Sequence, residues 1–180
     1  MNLIETFQNL VAQVPELVQP LIVALAGAIP FIEGEGAVSI GIIGGIPPVV
    51  AAIAAIVGNF LCVLVVVLVS SGARQAVVNR SRAKTAALAG GGTIDEPAAA
   101  AADTGRRTAR RDKFQRAFER YGVPGVSLLG PLLLPTQFTA TMLAASGIGR
   151  ARILFWQALA IIGWTTIIAV IVGGAVYAIR

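Results

Sequence analysis

Two acidic residues interrupt a stretch of the sequence that is otherwise apolar. Glu33 and Glu35 alternate with glycines in the motif Glu33-Gly34-Glu35-Gly36, and apolar residues run on both sides of it. A carboxylate at membrane depth costs several kcal/mol unless it is neutral, paired or hydrated, and an apolar environment favours its protonated form. The motif is therefore a candidate site for a proton or a cation. Two alternatives remain open, a solvated loop whose tip reaches water and a structural pairing of the acids.

Uncharged polar residues gather around a proline in a second interrupted apolar stretch. The group is Pro135, Thr136, Gln137, Thr139 and Thr141. Their hydroxyl and amide groups would offer hydrogen-bond partners to the acids or to a substrate headgroup. The alternative is that the threonine hydroxyls bond to carbonyls of their own helix beside the proline. Asn59, inside a long apolar run, is either a further member of the site or a hydrogen-bonding contact between helices.

The composition restricts the chemistry that these residues can do. The chain has 180 residues, of which 56% are apolar and 13% charged, and its mean hydropathy is +0.81. This leaves too little polar surface for a soluble globule of that length. With no His and a single Cys, the usual zinc sites, Cys/His pairs and His-based triads cannot form. We expect neither a cofactor nor a metal site, and no enzymatic activity.

Four apolar regions would place the candidate residues at membrane depth. The apolar runs 49–70 and 153–179 are uninterrupted and, at about 1.5 Å per residue, long enough to cross a hydrocarbon core of about 30 Å. We predict transmembrane helices over 49–70 and 151–179. The regions 19–46 and 123–147 are broken near the middle, the first by the acidic motif and the second by two prolines. We predict that each forms a re-entrant hairpin of two half-helices that meet at a polar tip.

An amphipathic segment precedes each hairpin. Residues 1–18 and 112–122 carry apolar residues at helical spacing with polar residues opposite, which predicts helices that lie along the membrane surface or pack on other protein. The order of interfacial helix, hairpin and transmembrane helix thus occurs twice. We predict an all-α membrane protein, one domain over 1–180, built as an inverted repeat. Such repeats bring discontinuous helices face to face near the membrane midplane, where they bind a polar substrate or an ion.

The segment 71–111 between the two halves is predicted to be a flexible loop, because its Ala- and Gly-rich part lacks hydrophobic periodicity. Most of the 14 Lys and Arg residues lie between Ser70 and Tyr121, which puts this loop in the cytoplasm by the positive-inside rule. Basic residues in this position bind anionic lipid headgroups, and nothing resembles a base-reading module, so we expect no nucleic acid partner. Arg150 and Arg152, on the same side, are candidate headgroup contacts.

Short motifs in both halves carry a resemblance to a known family. In the first half they are Ile29-Pro30-Phe31-Ile32-Glu33, Gly36, Pro47-Pro48 and Gly58-Asn59, and in the second half Arg120-Tyr121-Gly122, Pro135-Thr136, Ala144-Ala145, Gly147, Phe155 and Gly163-Trp164. These motifs look like those of the small multidrug export protein family, which is distantly related to the DedA (VTT-domain) superfamily. The resemblance implies two opposed re-entrant hairpins. It also implies a phospholipid or undecaprenyl phosphate substrate, because DedA members include translocases and scramblases of these lipids.

Together these features favour a membrane transporter. We expect a proton- or cation-coupled transporter or lipid-phosphate translocase of the DedA-like type, with Glu33 and Glu35 as its coupling residues. Its expected partners are membrane lipids, H⁺ or a monovalent cation, and a lipid-phosphate or small-molecule substrate. The alternatives are a small-molecule (drug) exporter and a non-transporting membrane scaffold or assembly factor. Because two transmembrane helices and two hairpins make a thin wall around a pathway, we expect a homodimer. The expected location is the bacterial cytoplasmic (inner) membrane, with a multi-pass topology.

Overall fold

The computed structural model describes residue 6 and residues 13–88, 122–132 and 134–179. All regular secondary structure in these ranges is helical, which confirms the predicted all-α class. The helices are α1 (Gln19–Gly27), α2 (Glu33–Ile43), α3 (Pro48–Leu88), α4 (Gly122–Leu132, which ends in the 3-10 turn Gly130–Leu132), α5 (Thr136–Ala145) and α6 (Arg150–Ile179).

Helices α3 and α6 are each long and apolar enough to cross a membrane, as the sequence predicts. Each presents an outward face of large apolar side chains. On α3 this face includes Val49, Ile53, Val57, Leu61, Val65 and Leu68, and on α6 it includes Phe155, Leu159, Ile162, Ile167, Val170 and Ile171. Apolar patches of this extent are rare on soluble monomers and common on surfaces that contact lipid or protein.

Helix α3 is longer than the sequence indicates. The predicted transmembrane run 49–70 continues as helix to Leu88, so residues 71–88 of the predicted flexible loop are helical. The physical reason is helix propensity, because this part is rich in Ala and Arg and contains no proline. The rest of that segment, 89–111, lies outside the described residues.

The two predicted interfacial helices lie mostly outside the described residues, and of the first one, 1–18, the structure describes residue 6 and residues 13–18. At the end of the first one, 14–18 form a bend and a turn rather than helix, with the Val18 N–H donating to the Pro15 carbonyl at 2.8 Å. Pro15 has no N–H to continue an α-helical ladder. Of the second predicted helix, 112–122, only Gly122 is described.

The two broken regions each contain short helices. Helices α1, α2 and α5 have 9, 11 and 10 residues, which at about 1.5 Å per residue is roughly half of a hydrocarbon core. In the second region the interruption follows the prolines, since α5 begins directly after Pro135. In the first region it falls at 28–32, ahead of the acidic motif. The motif is therefore the first turn of α2 and not the interruption itself.

Backbone geometry explains this shift. Phe31 and Glu33 have positive φ values of 74° and 53°, a region that non-glycine residues rarely adopt. Pro30 beside them cannot donate a helical hydrogen bond. Once the chain has turned here, two acids in the first turn of α2 are favourably placed, because the N-terminus of a helix attracts negative charge.

Helix α3 forms the centre of the packing. Helix α3 contacts α1, α2, α5 and α6. In addition, α1 contacts α2, and both α2 and α5 contact α6. One buried cluster joins α1 and α2 to the first half of α3 around Val23, Val38 and Ala55. A second cluster joins the middle of α3 to α4, α5 and α6 around Val67 and Leu143. The polar residues described next lie between these clusters.

Candidate functional site

Glu33 is a buried carboxylate at the start of α2. Only 6% of its surface is exposed, and its positive φ marks a conformation that costs about 1–3 kcal/mol and persists only where surrounding contacts impose it. A buried charge also requires a partner, because removal from water without one costs several kcal/mol. Glu33 therefore lies where it does because another element provides that partner.

The partner is Thr136, the first residue of α5. Its backbone N–H donates to Oε1 of Glu33, and its hydroxyl donates to Oε2 at 2.9 Å. The residue before it, Pro135, provides no side-chain cap for α5. The first N–H groups of any helix lack an intrahelical acceptor, so the Glu33 carboxylate caps α5. One interaction thus joins the two broken regions of the chain.

A second polar contact lies close to the first. The Gln137 amide donates from Nε2 to Oδ1 of Asn59 at 3.4 Å, which links α5 to the middle of α3. Both side chains are buried. The Oε1 atom of Gln137 is also buried and has no hydrogen-bond partner among the described residues. An unpaired buried carbonyl is costly, and it is the type of oxygen that can accept from a proton-bearing group or bind a cation.

Thr165 of α6 completes this group and was missed from the sequence. It is fully buried, and its Oγ1 has no partner within the described part of the chain. It lies against Gly34, where an added Cβ would overlap Oγ1 of Thr165 and come within 3.6 Å of Nδ2 of Asn59. Gly34 thus lets α2 approach α6 closely. The only sequence signal for Thr165 was a hydroxyl residue inside an apolar run.

We call Glu33, Asn59, Thr136, Gln137 and Thr165 the central polar cluster. Four helices contribute to it, namely α2, α3, α5 and α6. It combines one carboxylate with two unpaired buried oxygens. In the described ranges, no three His, Cys, Asp or Glu residues lie close enough together to hold a metal ion. The oxygen atoms of the cluster offer proton exchange at the carboxylate, or binding of a monovalent cation.

The structure does not bring every predicted residue into this cluster. Glu35 lies two residues after Glu33 in the first turn of α2 and is half-buried. Its backbone carbonyl accepts a hydrogen bond from the Ser39 hydroxyl at 2.8 Å. The Thr139 hydroxyl donates to the Pro135 carbonyl at 3.5 Å and the Thr141 hydroxyl to the Gln137 carbonyl at 2.7 Å. For both threonines the structure therefore shows the alternative of hydrogen bonds within their own helix.

The two predicted headgroup contacts lie at the N-terminus of α6, and both are exposed. Arg150 lines a surface pocket together with the part of α3 that follows the apolar run, whereas Arg152 does not. They are separate from the central polar cluster.

A further buried polar pair was not predicted. The Gln157 amide of α6 donates from Nε2 to the Ser127 hydroxyl of α4 at 3.5 Å, and both residues are fully buried. Nearby, the Trp164 indole N–H donates to the Leu128 carbonyl at 2.8 Å. These two hydrogen bonds connect α4 to α6. Polar residues within apolar runs were the available signal, as they were for Thr165.

Comparisons of the chain with family models, with curated proteins and with solved structures gave no match.

Proposed function

We propose that the chain is a multi-pass protein of the bacterial cytoplasmic membrane that works as a proton- or monovalent-cation-coupled transporter or lipid-phosphate translocase. The observation that carries this proposal is the buried Glu33 carboxylate capping α5 through Thr136. A carboxylate that ties together two interrupted helices inside an apolar protein is a costly arrangement, and acids at membrane depth are usually functional.

The membrane arrangement that we propose has α3 and α6 as spanning helices. The pairs α1–α2 and α4–α5 are re-entrant hairpins, and the two halves form an inverted repeat. The short helices and the apolar outer faces of α3 and α6 support this arrangement. The basic segment after α3 lies in the cytoplasm, following the positive-inside rule. The protein is further proposed to be a homodimer.

The mechanism follows from the charge dependence of the cap. An ionised Glu33 accepts two hydrogen bonds from Thr136 and interacts favourably with the positive end of α5. Protonation removes the charge, so the N–H of Thr136 loses a charge-assisted hydrogen bond and α5 loses the negative charge at its positive end. The cap then weakens and the two hairpins separate. Binding of a proton, or of a cation that competes with Thr136, thereby biases the protein between two arrangements of its hairpins.

The resemblance to small multidrug export and DedA-like proteins supports a lipid phosphate as the substrate, with a drug-like solute as the alternative. A non-transporting scaffold is a second candidate function. It is favoured by one observation, namely that Thr136 already supplies a donor to each Glu33 oxygen, which would be enough for a purely structural contact.

The test is transbilayer movement of a fluorescent lipid phosphate in proteoliposomes, with and without a pH gradient. Glu33→Gln keeps the shape and can still pair with both Thr136 groups, but it removes the charge and the exchangeable proton, so gradient-dependent movement should be lost. Glu35→Gln, at a half-buried position, should reduce movement less. Glu16→Gln is the matched control, because Glu16 is exposed and lies before α1.

Melting temperatures of the detergent-solubilised variants show whether each one folds. If Glu33→Gln folds and supports movement as the wild type does, Glu33 is not a coupling residue. If the wild type moves no lipid phosphate above empty liposomes, the drug-like substrate or the scaffold function becomes the better proposal.

A further inference from the structure

A polar pocket lies where α3 leaves its apolar run, away from the central polar cluster. Its volume is about 320 Å³. The polar side chains that line it are Ser71, Arg74, Gln75, Asn79, Arg82 and Arg150. All but the last belong to α3, and Arg150 is the first residue of α6. Residues 147–149, in the turn between α5 and α6, complete the wall.

The charge of this pocket is strongly positive. Three arginines line it, and the carboxylates in the described ranges (Glu16, Glu33 and Glu35) do not. No ion pair relieves the repulsion among these arginines within the part of the chain that the structure describes. A guanidinium presents a planar fork of N–H donors that matches the oxygens of a phosphate group. The pocket is therefore complementary to an oxyanion.

Arg74 is held in place by contacts that leave donors free. Its Nε donates to the Ala145 carbonyl at the end of α5, at 3.0 Å, a favourable place for a cation. Its Nη1 and Nη2 have no partner among the described residues. Gly147, with φ of +85°, makes room for this guanidinium, since an added Cβ would lie 2.6 Å from Nη2.

Two further groups favour an anion. Helix α6, which has 30 residues, begins at the pocket, and the unpaired N–H groups of a helix N-terminus attract negative charge. The Ser71 Oγ is buried without a hydrogen-bond partner in the described ranges. A phosphate oxygen at this position would satisfy such a hydroxyl.

The depth of the pocket points to a lipid. Ser71 directly follows the apolar run 49–70, which is roughly 33 Å long at about 1.5 Å per residue and so matches a hydrocarbon core. Arg150 precedes the apolar part of α6. A spanning arrangement of α3 and α6 would therefore put the pocket at the level of the headgroup phosphates.

We infer that the pocket formed by Arg74, Arg82 and Arg150 binds a phosphate group, supplied by the headgroup of an anionic lipid in the cytoplasmic leaflet. This inference rests on the membrane placement but not on the proposed transport, because a bound lipid could be either cargo or a fixed structural lipid. A binding assay that needs no transport therefore tests it separately from the Glu33 mechanism.

The test is native mass spectrometry of the full-length, detergent-purified protein with added dioleoyl phosphatidic acid, and separately with dioleoyl phosphatidylcholine. The wild type should retain phosphatidic acid in preference to phosphatidylcholine. Arg82→Gln and Arg150→Gln should each lower the apparent affinity for phosphatidic acid about tenfold, since each removes a charge-assisted hydrogen bond. Arg74 is avoided because its contact with Ala145 also positions α5.

Arg80→Gln is the matched control, because Arg80 is exposed on the same helix as Arg82 and does not line the pocket. An equal loss in this control, or equal retention of the two lipids, would overturn the inference. Inorganic phosphate is added in a separate arm. If inorganic phosphate displaces phosphatidic acid from the wild type but does not affect the residual binding of the Arg82→Gln variant, the pocket binds the phosphate group both of a lipid and of free phosphate.

Discussion

Glu33 caps the N-terminus of α5 from the other half of the chain, by accepting hydrogen bonds from Thr136. In most helices a serine or aspartate next to the first turn provides this cap. An N-cap residue normally supplies the acceptor for the first N–H groups of its own helix. Pro135 at the start of α5 has no such side chain, so the acceptor comes from α2. The contact between Glu33 and Thr136 consequently positions α5, and it also holds Glu33 in its positive-φ conformation.

The contact between Gly34 and Thr165 gives a prediction at the residue scale. Gly34→Ala should destabilise the protein by about 1–3 kcal/mol, because the new methyl group overlaps the Thr165 hydroxyl and forces α2 away from α6. Thr165→Ala in the same chain should restore much of this loss, since the Thr165 Cβ would remain at an ordinary distance of 3.4 Å. Thermal unfolding of the four proteins of a double-mutant cycle measures the coupling.

Additive effects in that cycle would show that α2 and α6 are not in contact at Gly34. Thr165→Ala alone should be close to neutral, because the hydroxyl that it removes is unpaired.

The sequence predicted most members of the central polar cluster but not how they pair. Glu33, Asn59, Thr136 and Gln137 stood out as polar residues in apolar runs, and all four lie in the cluster. Glu33 and Thr136, for example, are 103 positions apart in the sequence. No local sequence pattern indicates that two residues so far apart will form a hydrogen bond. A buried threonine such as Thr165 is also hard to distinguish from one that bonds to its own helix.

At the scale of elements, the packing of α1 on α3 depends on backbone-to-backbone approach. A Cβ added at Gly58 would overlap the backbone of Ala24, and one added at Gly27 would lie 2.8 Å from the Ala55 carbonyl oxygen. Small residues of this kind let helices associate where no hydrophobic driving force acts between them. The first broken region is therefore fixed to α3 by van der Waals contact.

This packing gives a prediction with a control on the other long helix. Gly58→Ala should lower the melting temperature strongly, because the obstacle is backbone and cannot move aside as a side chain would. Gly163→Ala should leave stability unchanged or raise it by up to about 1 kcal/mol, because its Cβ meets nothing within 4 Å and alanine is the better helix former. Thermal unfolding in the same detergent measures both. A similar response of the two variants would contradict the packing of α1 on α3.

The positions of the elements were largely readable from the sequence, and their ends were not. Long apolar runs and Pro135 located α3, α6 and the start of α5. The acidic, glycine-containing motif was interpreted as an interruption because it divides an apolar run into two short pieces. It forms the start of α2 instead, because acids are favoured in a first turn. The end of α3 is determined by helix propensity alone. Helix propensity changes gradually along the sequence, so it marks the boundary between helix and loop poorly.

At the scale of the whole molecule, the orientation in the membrane is the next quantity to establish. In a Cys62→Ala background, Ala76→Cys lies on α3 beyond the apolar run and Pro47→Cys precedes α3, and both positions are exposed. The proposed orientation, with the basic segment in the cytoplasm, predicts that a membrane-impermeant maleimide labels Pro47→Cys in spheroplasts and Ala76→Cys only in inverted vesicles. The reverse pattern would show the opposite orientation, and labelling of both from one side would exclude α3 as a spanning helix.

The long separation between Glu33 and Thr136 also has a consequence for how the protein is made. Synthesis at about 5–20 residues per second means that Glu33 is made roughly 5–20 s before residue 136, because 103 positions separate the two residues. During that interval α2 can already meet α1 and α3, but the Glu33 carboxylate has no α5 to cap. The nascent first half must therefore either keep this acid protonated or delay its burial until the second half is inserted.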